Sequence, residues 1–260
     1  MSFSAQAIPT TGMFCAGFEL ASWRCDALAD HLIEWIADYA LHEDELKVNH
    51  GNMYVRLREA AARIYTSKKY GRRGEVGEIA LHAICRDFFG TVPIAPRVFY
   101  LTSSNDVVKS FDMVHVRYVN QVPELWLGEA KFYANGVEGA RAAVTSLTEH
   151  LDQGFLRNEK LILGPQISKN IPEYAQIREL LSSQTSLDRL FQNAIFSCFH
   201  CLRKQRSIES QRDLRRVHLR SRAGAIRYGS SHHIIRADRK GQDSIATSAS
   251  RVEKSFSRLV

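Results

Sequence analysis

The chain has 260 residues, 45% of them hydrophobic, and a formal net charge of +7. That length suits one large domain or one domain with an appendage, and that hydrophobic share excludes global disorder. No apolar run approaches the roughly 18 residues a membrane span needs, and no basic segment followed by an apolar stretch marks a secretory signal, so we read a cytoplasmic protein with no membrane partner.

The five cysteines (Cys15, Cys25, Cys85, Cys198 and Cys201) are odd in number and scattered, as reduced thiols rather than a disulfide framework would be. The positive charge is confined to one end. Residues 201–260 carry 15 Lys/Arg and 5 Asp/Glu, which leaves 20 and 23 of the chain's 35 and 28 for residues 1–200, a net of −3. Global charge is therefore no evidence that the body of the protein binds DNA.

A short strand is expected around Met13–Leu20. Residues 23–41 have helical periodicity, with Leu28, Leu32, Trp35, Ile36 and Tyr39 on one face. A second helix is expected over Tyr54–Thr66, ending in the basic loop Lys68–Arg73. A third runs from Glu75 to Phe89, with an apolar stripe of Ile79, Leu81, Ala83, Ile84 and Phe88 and a terminating Gly90. The period then shortens. Val98–Leu101, Ser110–Tyr118 and Glu124–Tyr133 read as strands, the last two joined by a turn at Asn120–Pro123. Gly136–Leu151 is again helical, with His150, Asp152 and Gln153 at its end, and residues 173–193 hold one or two more helices. Helix, strands, helix in that order indicate an α/β fold with a mixed sheet flanked by helices.

One segment carries chemistry. In Leu127-Gly128-Glu129-Ala130-Lys131-Phe132-Tyr133, residues two apart on a strand share a face, so Glu129 and Lys131 project together while Ala130 turns into the core. Gly128 leaves room for another group to approach. Asp112 interrupts the apolar alternation of the preceding strand, and a hairpin would bring it beside Glu129. Two carboxylates that close repel each other unless a cation lies between them. Such a cation acidifies a bound water and neutralises charge on a phosphate, and a neighbouring Lys orients that water or steadies the charge. Glu78, and after it Glu75, open the third helix on one side and could complete the metal sphere. Glu75 equally suits charge–dipole stabilisation of the helix start. Gln153 is a further candidate for supporting the site. E-x-K alone is a weak signal; its force comes from the inward Asp one strand earlier and the early helix Glu.

The stretches RRGEVGEIALHAIC, SFDMVHVR and ELWLGEAKFY resemble the HamA family, the nuclease subunit of the Hachiman anti-phage defence system, over about Gly17–Phe196. The resemblance implies a PD-(D/E)xK (restriction-endonuclease-like) core, Mg²⁺ or else Mn²⁺ as cofactor, DNA as substrate and the helicase subunit HamB as partner. Carried over by motif, Asp112, Glu129 and Lys131 are catalytic, with Asp112, Glu129 and Glu78 on the metal. Phe111 replaces the Pro of the literal "PD".

The expected organisation is a nuclease domain over residues 1–196, with an N-terminal helical part, and an irregular, basic, Ser/Arg-rich tail over 197–260. The core fold calls for another strand near residues 194–203. One synonymous codon choice for Phe196 through Lys204, read one base over, spells Phe-Pro-Val-Phe-Ile-Ala-Tyr-Glu-Ser, a buried-strand sequence. A frameshift near Phe196, leaving a disordered tail, is the hypothesis that follows; coding DNA without that alternative frame would remove it. Cys198-x-x-Cys201 with His200 is half a zinc site with no second pair. The functional expectation is a metal-dependent DNA nuclease effector working with a helicase. The alternatives are a catalytically silent nucleic-acid-binding or scaffold subunit, or a small metal-dependent hydrolase on the same fold.

Overall fold

A computed structural model describes residues 10–20, 22–42, 45–65, 74–95, 110–131, 133, 136–203 and 229–237. The elements in chain order are β1 (Thr10–Phe14), the small antiparallel pair β2 (Phe18–Glu19) and β3 (Ser22–Trp23), α1 (Cys25–Glu34), α2 (Ile36–Ala40), α3 (Met53–Tyr65) and α4 (Glu75–Phe89). They continue with β4 (Val92–Pro93), β5 (Met113–Val119), β6 (Val122–Lys131), α5 (Gly136–His150), α6 (Gln153–Leu163), α7 (Tyr174–Leu180), α8 (Leu187–Gln192), β7 (Ala194–Arg203) and β8 (Gly229–Ala237). The expected strand Val98–Leu101, the turn after it and the basic loop Lys68–Arg73 lie outside the described residues.

The main sheet runs β1-β8-β7-β6-β5-β4. β4, β5 and β6 are antiparallel, whereas β6, β7, β8 and β1 run parallel, so the sheet is mixed, as expected. β5 and β6 turn at Asn120 and Gln121, whose φ values of 51° and 67° give the left-handed pair that matches hairpin twist. Four helices, α5 to α8, carry the chain from β6 back to its parallel neighbour β7.

Side chains alternate across β6, so it feeds two cores. Trp126 and Ala130 pack with Ile79, Leu81 and Ala83 of α4. Leu125 and Leu127 pack on the other side with Ala143 and Leu147 of α5 and Leu156 of α6. α4 is buried from Gly77 to Cys85, enclosed between the sheet and α1–α2, and stops at Gly90, whose φ of 60° suits a residue without Cβ. An added Cβ on Gly128 would lie 2.8 Å from Leu81 Cδ2 and 3.0 Å from Met113 Cβ. The close approach expected at this glycine is the packing of α4 onto the sheet.

Four readings change. The helix over 23–41 is two helices meeting at Trp35, although its apolar face holds: Leu32, Ile36 and Tyr39 are buried. Phe88 leaves the stripe of α4, is 64% exposed and packs at a tilt against Phe14, 4.6 Å between ring centroids. Gln153 does not end α5 but opens α6; Asp152 caps that helix by accepting from the backbone N–H groups of Gly154 and Phe155. Within the stretch expected to be an irregular tail, the structure describes residues 197–203 and 229–237, and the rest lies outside the described residues. β7 crosses the expected boundary at 196 without interruption, and β8 adds a further parallel strand. Phe196, Ser197, Cys198 and Phe199 of β7 are buried.

Candidate active site

The β5–β6 ladder begins with Met113 opposite Gly128, which leaves Asp112 just outside it, across from Glu129. Asp112 replaces the missing rung with its side chain: Oδ2 accepts the Ala130 N–H at 2.9 Å. The carboxylate is thereby buried at the end of the hairpin that carries Glu129. Glu129 and Lys131 share the α5 side of β6, as alternation requires. Glu129 is 2% exposed, and its Oε1 accepts from Lys131 Nζ at 2.5 Å and from Ser146 Oγ at 2.7 Å. On its other side, His150 Nδ1 lies 3.2 Å from Oε2. Neither of these two buried atoms has a well-aligned hydrogen bond.

Charges decide the protonation states. Burial pushes the Glu129 carboxyl up, but His150, the Lys131 ammonium and Ser146 outweigh it and hold the group below the usual carboxylate range. Burial pulls Lys131 down, and the negative charges of Glu129 and then Asp112 reverse that and raise it. Both groups are ionised at neutral pH. Cys198, level with Glu129 on β7, is pushed up to about 12, first by burial and then by the Glu129 carboxylate, and stays a thiol.

The structure therefore brings together Asp112, Glu129 and Lys131. Glu78 stands in the first turn of α4, on the other side of the sheet from Glu129, and its Oε2 accepts the Tyr39 hydroxyl at 2.6 Å. Tyr39 in turn lines a small cleft with Asp112, His82 and His115, so Glu78 borders the same neighbourhood through Tyr39. Glu75 is half-buried at the start of α4. Gln153 is placed by its backbone at the start of α6, and its side chain is outside the described set.

Sequence reasoning missed Ser146 and placed His150 only at a helix end, without a role in the site. They lie four apart on α5 and so share a face; a Ser and a His in an otherwise ordinary amphipathic helix carry no signal until the helix is docked. The donor set suits a hard divalent cation: two adjacent carboxylates, one with a buried oxygen lacking an aligned donor. Among the described residues, no three His, Cys, Asp or Glu side chains converge as a ready-made metal cage.

Comparison with known proteins adds the decisive point, because the HamA family model matches residues 6–226. The chain belongs to the HamA family. The match extends the resemblance read over Gly17–Phe196 at both ends and runs thirty residues past the expected boundary, through β7. Family membership associates the chain with Hachiman anti-phage defence. No curated protein matches it. Among the described residues no helix is long and apolar enough to cross a membrane.

Proposed function

We propose that this HamA-family chain is a metal-dependent DNA nuclease effector with a PD-(D/E)xK-type core, acting in a defence complex with the helicase subunit HamB. The observation that carries the reading is the meeting of Asp112, Glu129 and Lys131 at adjoining strand ends, with one buried Glu129 oxygen lacking an aligned donor. Asp112 and Glu129 would hold Mg²⁺, or Mn²⁺ in its place, with waters completing the shell, since this ion is commonly bound through only one or two carboxylates. Bound there, the cation would supply an acidified water and neutralise charge on the scissile phosphate. Lys131 donates to Glu129 Oε1; with Glu129 engaged by the cation, its ammonium would turn to the phosphate or the attacking water. Glu78 is the third candidate ligand and would have to release the Tyr39 hydroxyl to reach the cation. The nearly neutral charge of residues 1–200 fits a subunit that holds DNA through metal and partner rather than through a basic groove.

Purified chain with HamB and Mg²⁺ should degrade DNA, while Glu129→Gln and Lys131→Ala should not. Equal degradation by the variants would reject the site. DNA binding without degradation by the unaltered complex would leave the scaffold reading instead.

A further inference from the structure

α5 holds more of the site than the strands that carry the motif. Ser146 Oγ donates to Glu129 Oε1 at 2.7 Å, and one turn later His150 presents Nδ1 to Oε2 at 3.2 Å. Both oxygens of this carboxylate thus face one helix. The imidazole is itself fixed. It stacks on Phe155 with centroids 4.4 Å apart and planes 11° apart, and meets the edge of Phe111 at 5.1 Å. Phe111 precedes Asp112 directly, and Phe155 sits in the first turn of α6, where its N–H bonds the capping Asp152. One aromatic cluster therefore ties the helix behind Glu129 to the backbone beside Asp112. His150 is 6% exposed, so a side chain that competes for hydrogen bonds with water has been withdrawn from it to stand against this carboxylate.

We infer that Ser146 and His150 are positioning residues for Glu129: they fix the orientation of its carboxylate beside Asp112 for binding a divalent cation, with Phe111 and Phe155 holding the imidazole. This role rests on Glu129 being a metal ligand. Partners that orient a ligating carboxylate typically change metal affinity or activity by about 10- to 100-fold when removed.

The test is Mn²⁺ binding to the full chain, followed by the loss of the free-ion electron paramagnetic resonance signal, which needs neither DNA nor HamB. Unaltered chain should bind Mn²⁺, and Glu129→Gln should abolish binding. Ser146→Ala and His150→Phe should each raise the dissociation constant about 10- to 100-fold, and Ser146→Thr should restore it because it keeps the hydroxyl. His150→Phe preserves the ring stack, and thermal melting of both variants reports whether the fold survives. Binding by the unaltered chain together with unchanged dissociation constants in folded Ser146→Ala and His150→Phe overturns the positioning role while leaving the metal site standing. Absence of binding by the unaltered chain rejects the metal site, and the positioning role with it.

Discussion

Two buried polar clusters flank the same hairpin, and they are built on opposite principles. On the α5 side, Glu129 and Lys131 are ionised and Glu129 Oε2 lacks an aligned donor. On the α4 side, a chain of neutral side chains ending on a carboxylate runs from Thr91 Oγ1 to His115 Nδ1 (2.8 Å), from His115 Nε2 to His82 Nδ1 (3.0 Å), and from His82 Nε2 to Asp38 Oδ2 (2.9 Å). The Asp38 carboxylate, kept ionised by His82 and Arg86, must accept from His82 Nε2–H. His82 Nδ1 then accepts from His115 Nε2–H, and His115 Nδ1 accepts the Thr91 hydroxyl. Every proton points towards Asp38, and each bond in the chain is made. The α4-side chain links neutral side chains by hydrogen bonds to one carboxylate and serves the fold, whereas the α5-side cluster gathers ionised groups with a carboxylate oxygen lacking an aligned donor and is suited to a ligand.

The largest effect should come from breaking the charged cluster. Loss of Lys131 or of the Glu129 charge should lower DNA degradation by at least about 10²-fold, the scale seen when one preorganised electrostatic contact is removed, with the melting temperature as a control for folding. Gly128→Val tests the seam between the clusters. Its side chain would meet Leu81 and Met113 at contact distances that allow no extra atoms. The expected loss is about 1–3 kcal/mol, typical of overpacking, read from the urea midpoint at unchanged slope.

The neutral chain should reveal itself through pH. Burial holds His82 below its ordinary value and His115 well below it. The unfolded chain takes up these protons as pH falls through about 6.5, while the folded chain does not. Stability is therefore full above that pH and declines below it towards the folded-state values, by at most about 1.4 kcal/mol per pH unit for each imidazole. Replacing both histidines with Gln should flatten the dependence in that window; an unchanged slope would mean that other groups cause it. The smallest effect belongs to Asp152→Ala, which removes the cap of α6 and should cost about 1 kcal/mol, measured by denaturant unfolding.

Much of the site was legible because strand alternation and hairpin pairing are local rules. Glu129 and Lys131 share a face, Ala130 is in the core, and Asp112 comes opposite Glu129. β7 was harder to read: Ser197, Cys198 and His200 look polar, yet a central strand flanked by two others buries Ser197 and Cys198 without needing a recognisable alternation. The start of α6 was missed because Asp152 resembles the end of one helix as much as the cap of the next.

By itself, the sequence determined the run from α4 through β5 and β6 to α5, the motif and its facing, and the family, since these depend on short-range periodicity and residue identity. Only the tertiary structure decided what surrounds Glu129. Ser146 and His150 reach it because α5 docks on one face of β6, and Glu78 bonds Tyr39 because α4 docks on the other. Which helix covers which face is settled by the fit of whole surfaces, Gly128 against Leu81 among them, and no local pattern in the chain encodes it.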